Sequence, residues 1–376
     1  MPSKSTPRPE ARAWVEVDLG AVARNARALA AHAKAPLIPM VKADAYGLGA
    51  VRVARALEPV DPLAFGVSSI PEAAELRAAG FTRPIILFTP SVMDAAHPHW
   101  TSRDLEALLE HGITPTLANA RDIAAWGARA PGRDWHLAID TGMHRAGADH
   151  AAVAQLADVL RRFPPRGAFT HFHSAELDDG SMEEQEARFH AAVAALPARP
   201  RLLHAENSAG IVRRARTAWG AVRPGVFLYG VGSGPKAPLQ PEPVVSLRAR
   251  ILELRDAAPG EGVSYDATWR VPADGRPARI ATVACGYADG LRRHLGNRAH
   301  GLVHGRPAPI RGVVTMDMAM VDVTDIPCEV GDVVTFLGRD GDALLTAEEV
   351  AEAGGLSPYE LLVGLKLRLP RVYHEA

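Results

Sequence analysis

Between residues 37 and 225 the chain repeats one pattern, a short apolar run rich in β-formers and then a stretch with helical spacing. The runs occupy 37–42, 64–68, 84–89, 114–118, 135–140, 167–172, 202–206 and 221–225. Helical candidates lie at 21–33, ahead of the first run, and at 71–79, 120–128, 151–163 and 181–196. Such alternation predicts βα units, because parallel neighbours need a crossover and a helix supplies it. Eight strands with intervening helices is the count of a closed barrel. A doubly wound sheet is the alternative, but no glycine-rich dinucleotide fingerprint follows the first run. Segment 14–19, WVEVDL, alternates like a half-buried strand. Capping boxes at Thr101-x-x-Asp104, Ser181-x-x-Glu184 and Thr346-x-x-Glu349 predict helix starts.

The pattern breaks at 230–243, where four prolines and three glycines fall within fourteen residues. Beyond it come short strands at 246–254, 279–285, 301–303, 309–314, 319–323 and 333–337, with turn residues between them. The fold class is therefore α/β, an N-terminal (β/α)8 TIM-type barrel followed by a C-terminal β-rich domain. The expected divisions are a disordered or extended lead at 1–12, the barrel at 13–232, a linker at 233–244 and the β domain at 245–376. Two domains agree with a length of 376 residues. A net charge of -1 gives no electrostatic footprint for nucleic acid or for a polybasic membrane contact. Cys285 and Cys328 are too few for a disulfide scaffold and wrongly spaced for zinc, so no metal is expected. No apolar run reaches the length of a membrane span, and the N-terminus has no apolar signal core. A cytoplasmic protein is expected.

Barrel enzymes place reacting groups at the C-terminal ends of their strands. Those ends carry Lys42 and Tyr46, then Asp140-Thr-Gly-Met-His-Arg145, His171-Phe-His173, Asn207-Ser208 and Arg223-Pro-Gly225. A lysine held out of bulk water can form an imine, provided its amine is neutral. The Ser208 hydroxyl and the N–H groups of Gly225 and Val226 can hold a phosphate. Lysine and phosphate cradle in one barrel mouth point to a phosphorylated aldehyde cofactor, pyridoxal 5'-phosphate. Each residue also has a plainer reading. Lys42 can cap a strand at the surface, His173 and His144 can be solvated or packing residues, and Arg145 can pair with Asp140.

Taken in order, Lys42-Ala-Asp-Ala-Tyr46-Gly, Asp140-Thr-Gly-Met-x-Arg145, Thr170-His171-Phe172 and Asn207-Ser208 resemble the alanine racemase family of fold-type III pyridoxal phosphate enzymes. So do Val222-Arg223-x-Gly225, Ser264-Tyr265, Gly286-Tyr287-Ala-Asp-Gly290 and Met316-Asp317. The resemblance spans both domains and implies a barrel-plus-β fold. It implies that Lys42 carries the cofactor and serves as base on the D side. Tyr265 of a second subunit is then the base on the L side, in a homodimer with shared sites. His171 would relay between Tyr265 and Arg223, and Arg223 would donate to the pyridine nitrogen. Arginine stays protonated and leaves that nitrogen an acceptor, which limits delocalisation and disfavours transamination. Tyr46, Asn207, Ser208, Gly225 and Val226 correspond to cofactor contacts; Arg145, Tyr287, Met316 and Asp317 correspond to substrate contacts. The implied product is D-alanine for peptidoglycan.

The chain departs from the family pattern at Leu48 and Thr315, where histidine and cysteine are frequent, and at Leu367, tyrosine in some members. Ala138 stands where many members have a carbamylated lysine that orients the arginine, so Arg145 needs another anion. These differences bear on side-chain specificity. A serine or broad-spectrum racemase and a basic amino-acid decarboxylase share the architecture. Pyridoxal phosphate homeostasis proteins share the barrel without residues 245–376. A protein with no cofactor would be colourless.

Overall fold

The computed structural model describes residues 11–90 and 103–375. The capping box at Thr101 and nearly all of the expected lead lie outside the described residues.

Six parallel strands run side by side in chain order: Phe65–Val67, Ile85–Leu87, Ile113–Leu117, His136–Asp140, Gly167–Phe169 and Leu202–His204. Segments 37–40 and 221–224 close the ring. Gly66 donates to Pro39 and Val41 to Gly66 on one side; Ile38 donates to Val222 and Met40 to Pro224 on the other. Gly220 and Arg223 then donate to Leu203 and Glu206, which completes a barrel of eight parallel segments among the described residues. Inside it Ile38, Ala64, Ile86 and Ala221 form their own apolar cluster, separate from the larger core between strands and helices. This explains the short, wholly apolar runs, since such strands are buried on both faces.

Helix Leu19–Ala33 starts at Asp18, whose side chain accepts from Ala21, and buries Val22, Ala26, Leu29 and Ala33 at helical spacing. The box Thr346-x-x-Glu349 forms as expected at the head of Ala347–Gly354. The one at Ser181 does not. Gly180, at φ 81°, is the cap of Ser181–Ala194 and Asp179 accepts from the Ser181 N–H, so the serine lies inside the first turn.

The second domain is built on the thirteen-residue strand Val245–Ala257, which pairs with Val333–Asp340 on one edge and is joined by Ala278–Val283 along its second half. Residues 13–18, counted with the barrel in the sequence, belong here instead. Ala13–Asp18 is antiparallel to Val245–Ala257 and parallel to the last strand, Arg371–His374. Its alternation reflected a real strand; strand partners many residues away leave no local signal. No helix among the described residues is long and apolar enough to cross a membrane.

Candidate active site

Lys42 follows the first barrel segment and opens a turn of rare geometry. Ala43, Asp44, Ala45 and Tyr46 all have left-handed backbone angles, with φ between 51° and 58°. L-residues avoid this region at a cost of roughly 1–2 kcal/mol each, and it persists only where the surroundings over-determine it. Here Glu72 accepts from the Ala43 N–H at 2.8 Å, Asp44 accepts from Ala50 at 2.7 Å, and the Gly47 carbonyl accepts from Arg371 at 3.0 Å. Burial pushes the Lys42 amine below its ordinary pKa, the Arg145 guanidinium pushes it further down, and Glu72 pushes back. The free-amine form is thereby favoured more than in a solvent-exposed lysine.

Arg223 fills the barrel interior and is 3% exposed. Its Nη atoms donate to the carbonyls of Thr170, His204 and Ala205 at 2.6–2.8 Å, and to His204 Nδ1 at 2.9 Å. No described residue accepts from its Nε. His204 in turn lies 2.8 Å, Nε2 to Nδ1, from buried His136. Because Arg223 donates to Nδ1, His204 carries its proton on Nε2 and gives it to His136. Burial and the Arg223 charge hold His204 neutral, and burial pulls His136 down to about 4. His171 Nδ1 lies 3.5 Å from Arg223 Nη2. Burial, with Arg223, Arg145 and Lys42 around it, takes His171 down to about 3, so it too is neutral.

Tyr46 is buried, its ring 4.7 Å from that of Tyr229, and burial raises the pKa of its phenol. Gly225 lies against it: a Cβ there would sit 2.6 Å from the phenol oxygen. Ser208 Oγ accepts from the Gly225 N–H at 2.9 Å, and Asn207 caps helix Ser208–Arg213 while donating to the Phe172 carbonyl. Val226 follows in the buried turn Val226–Tyr229. The structure therefore gathers Lys42, Tyr46, His171, Asn207, Ser208, Arg223, Gly225 and Val226 at one barrel mouth.

Arg145 faces that mouth but is exposed, and no ion pair joins it to Asp140 or to any other described residue. Asp140 instead accepts from the Gly142 N–H. His144 and His173 are exposed, as the plainer reading had them. Leu48 is fully buried and packs in the core. Tyr265, Tyr287, Met316 and Asp317 are not brought to Lys42 within the chain. They lie on the second domain, where Tyr265 is 69% exposed. Arg12 and Arg368 converge on buried Asp289 and also hold Asp317, which fixes the loops bearing Tyr287 and Met316.

Four residues escaped the sequence reading. His136 and His204 sit on inward positions of their strands, where an imidazole in an apolar run was the available signal. Gln185 interrupts the buried stripe Met182, Phe189, Val193; it donates to Thr141 and to the His171 carbonyl, and accepts from His173. Glu206 is wholly buried against the Ser208–Arg213 helix, with neither carboxylate oxygen in a well-formed hydrogen bond. Burial pushes it up to about 7, although the nearby Thr217 hydroxyl and Arg214, 3.9 Å away, favour its charge. An acid raised on folding binds its proton more tightly in the native state, so this contribution to stability is lost as pH rises from about 4.5 to about 7. Glu206→Gln should therefore gain stability over the parent at pH 8, by up to the order of 3 kcal/mol. The gain should fade below pH 5, as measured by denaturant midpoints at both values.

The family model described as "Alanine racemase, N-terminal domain" matches residues 17–233, and "Alanine racemase, C-terminal domain" matches residues 244–373. The alanine racemase of Symbiobacterium thermophilum is 37% identical over 96% of this chain and 96% of its own length. The crystal structure of alanine racemase from Bacillus anthracis with bound L-Ala-P superposes with a TM-score of 0.85 at 30% identity, covering 98% of this chain and 96% of that one. That from Bartonella henselae with covalently bound pyridoxal phosphate gives 0.85 at 30% identity, covering 96% and 99%.

Proposed function

The chain belongs to the alanine racemase family, and we propose that its barrel mouth interconverts L- and D-alanine by passing a proton between Lys42 and Tyr265 of a second copy. The enzyme is an isomerase that depends on pyridoxal 5'-phosphate. The observation that supports the residue assignment is the position of Lys42 at the mouth end of the first barrel segment, on a left-handed turn held by Glu72 and Arg371.

The donor set fits the cofactor. Tyr46 and Ser208 offer hydroxyls, Asn207 its amide and Val226 its N–H for a phosphate, beside Gly225, whose own N–H is held by Ser208 Oγ and whose lack of a Cβ leaves room next to the Tyr46 phenol. Arg223 commits both Nη atoms to protein acceptors and keeps Nε–H for a ring nitrogen. Lys42 is the attachment point for the aldehyde. Bound there, the cofactor withdraws electrons from the substrate α-carbon and makes its proton labile.

The chain's own groups then decide where the proton goes. Lys42 takes it as the free amine and returns it as the ammonium on the D side. Tyr265 serves the opposite face, as a planar carbon demands two groups on two sides. A phenol is a weak base with a reference pKa of ~10, and neutral His171 is placed to share its proton through Nε2 while Nδ1 faces Arg223. Arg145 offers its guanidinium to the substrate carboxylate and, across Lys42, helps keep the amine unprotonated. Met316, Asp317 and Tyr287 border the entrance from the second subunit, on loops locked by Arg12, Arg368 and Asp289. Exposed Tyr265 and Met316 then find cover in a homodimer. The product D-alanine serves peptidoglycan synthesis.

Borohydride reduction of the yellow holoenzyme, followed by peptide mass analysis, is expected to place the cofactor mass on Lys42. A panel of L- and D-amino acids should show alanine racemised fastest. A tag on another lysine sinks the Lys42 assignment, and faster turnover of serine or a basic amino acid sinks strict alanine specificity.

A further inference from the structure

Glu72 is the third residue of helix Ile70–Ala78 and closes a capping box with Ser69. Its Oε2 accepts from the Ser69 N–H at 3.1 Å and from the Ser68 N–H at 2.7 Å. One such oxygen suffices for the cap. The other, Oε1, leaves the helix and accepts from the Ala43 N–H, the peptide directly after Lys42 and the start of the left-handed run. A single carboxylate thus ties the second barrel strand's end and the head of its helix to the backbone of the reactive lysine.

Among the described residues, three ionisable groups act on the Lys42 amine: Arg145 from the segment after His136–Asp140, His171 from the end of Gly167–Phe169, and Glu72. His171 is neutral through the working range, so the charges that remain are the Arg145 cation and the Glu72 anion. We propose that Glu72 is a positioning residue for Lys42: one oxygen holds the strained peptide that aims the lysine, and the carboxylate charge balances Arg145 across the amine. The balance has a chemical purpose. An amine that must take up and return a proton works best when neither form is strongly preferred. Arg145 and burial alone would leave Lys42 a reluctant acceptor.

The inference rests on Lys42 being the cofactor lysine, and the test separates the two. The chain has five lysines, Lys4, Lys34, Lys42, Lys236 and Lys366. In cofactor-free protein, competitive acetylation across pH with peptide mass analysis reports the titration midpoint of each. Glu72→Gln is expected to move the Lys42 midpoint down by about one pH unit and leave the other four in place. In holoenzyme the acid limb of kcat/KM should move the same way. Glu72→Asp keeps the charge on a shorter stem. Its Lys42 midpoint should stay within about 0.3 unit of the parent, while amide exchange at Ala43 accelerates. An unmoved Lys42 midpoint in folded Glu72→Gln overturns the proposal, as does a Glu72→Asp midpoint that falls below the parent's by about one unit. Borohydride tagging of another lysine overturns the cofactor assignment and leaves these midpoints readable.

Discussion

Lys42→Ala and Tyr265→Phe should each lower kcat for alanine racemisation by at least about a thousandfold, and mixing the two proteins at equal amounts after dissociation should restore about one quarter of the parent's activity. Each variant removes one of the two groups that must lie on opposite sides of the substrate. In a mixed dimer one site lacks both groups. The other combines Lys42 from the Tyr265→Phe chain with Tyr265 from the Lys42→Ala chain. Half of the dimers are mixed and half of their sites are whole. The structure motivates the experiment, because Tyr265 is 69% exposed on the second domain while Lys42 is half-buried at the barrel mouth. Titration of total activity against mixing ratio measures the effect. If two folded, exchanging variants regain nothing, both groups come from one chain.

The second large effect concerns folding. Arg223→Met should cost about 3–5 kcal/mol, because the guanidinium is 3% exposed and feeds the carbonyls of Thr170, His204 and Ala205 together with His204 Nδ1. Methionine matches the bulk and leaves four acceptors without donors. Denaturant midpoints of the cofactor-free protein measure the loss; a change below about 1 kcal/mol would mean that water replaces the guanidinium. Arg223→Glu, expected from its chemistry to raise side transamination, meets the same obstacle more severely, since it turns a carboxylate toward those oxygens. Arg223→Lys keeps the charge and is the gentler probe of the ring-nitrogen contact.

Much of the fold was legible because its signals are local. The apolar, β-rich run at 84–89 holds the strand Ile85–Leu87, and Thr346 with Glu349 announces a helix start within four residues. The mouth residues were legible as strand-end chemistry. What stayed hidden depends on contacts remote in sequence. Ala13–Asp18 alternates like many strands, and only its pairing with residues 245–249 and 371–374 assigns it to the second domain. Glu72 fits its capping box and shows no sign of a second bond to Ala43, twenty-nine positions earlier. His136 and His204 meet across the barrel interior, and neither marks the other in the sequence. The left-handed turn was hidden for another reason: alanine and tyrosine do not seek that conformation, and the fold imposes it on a run of four residues.

The strand Ala13–Asp18 also sets a timetable. It leaves the ribosome more than two hundred residues before its partner at 245–249, and longer still before its partner at 371–374. The barrel's ring hydrogen bonds all fall within residues 37–224, so the barrel can close while the rest is still being translated. The early strand waits beside it. When Arg371–His374 arrives it completes the second sheet, and Arg371 reaches across to the Gly47 carbonyl and braces the turn that carries Lys42. The barrel can thus close before its lysine turn is braced, because the brace comes from Arg371, made 324 residues after Gly47.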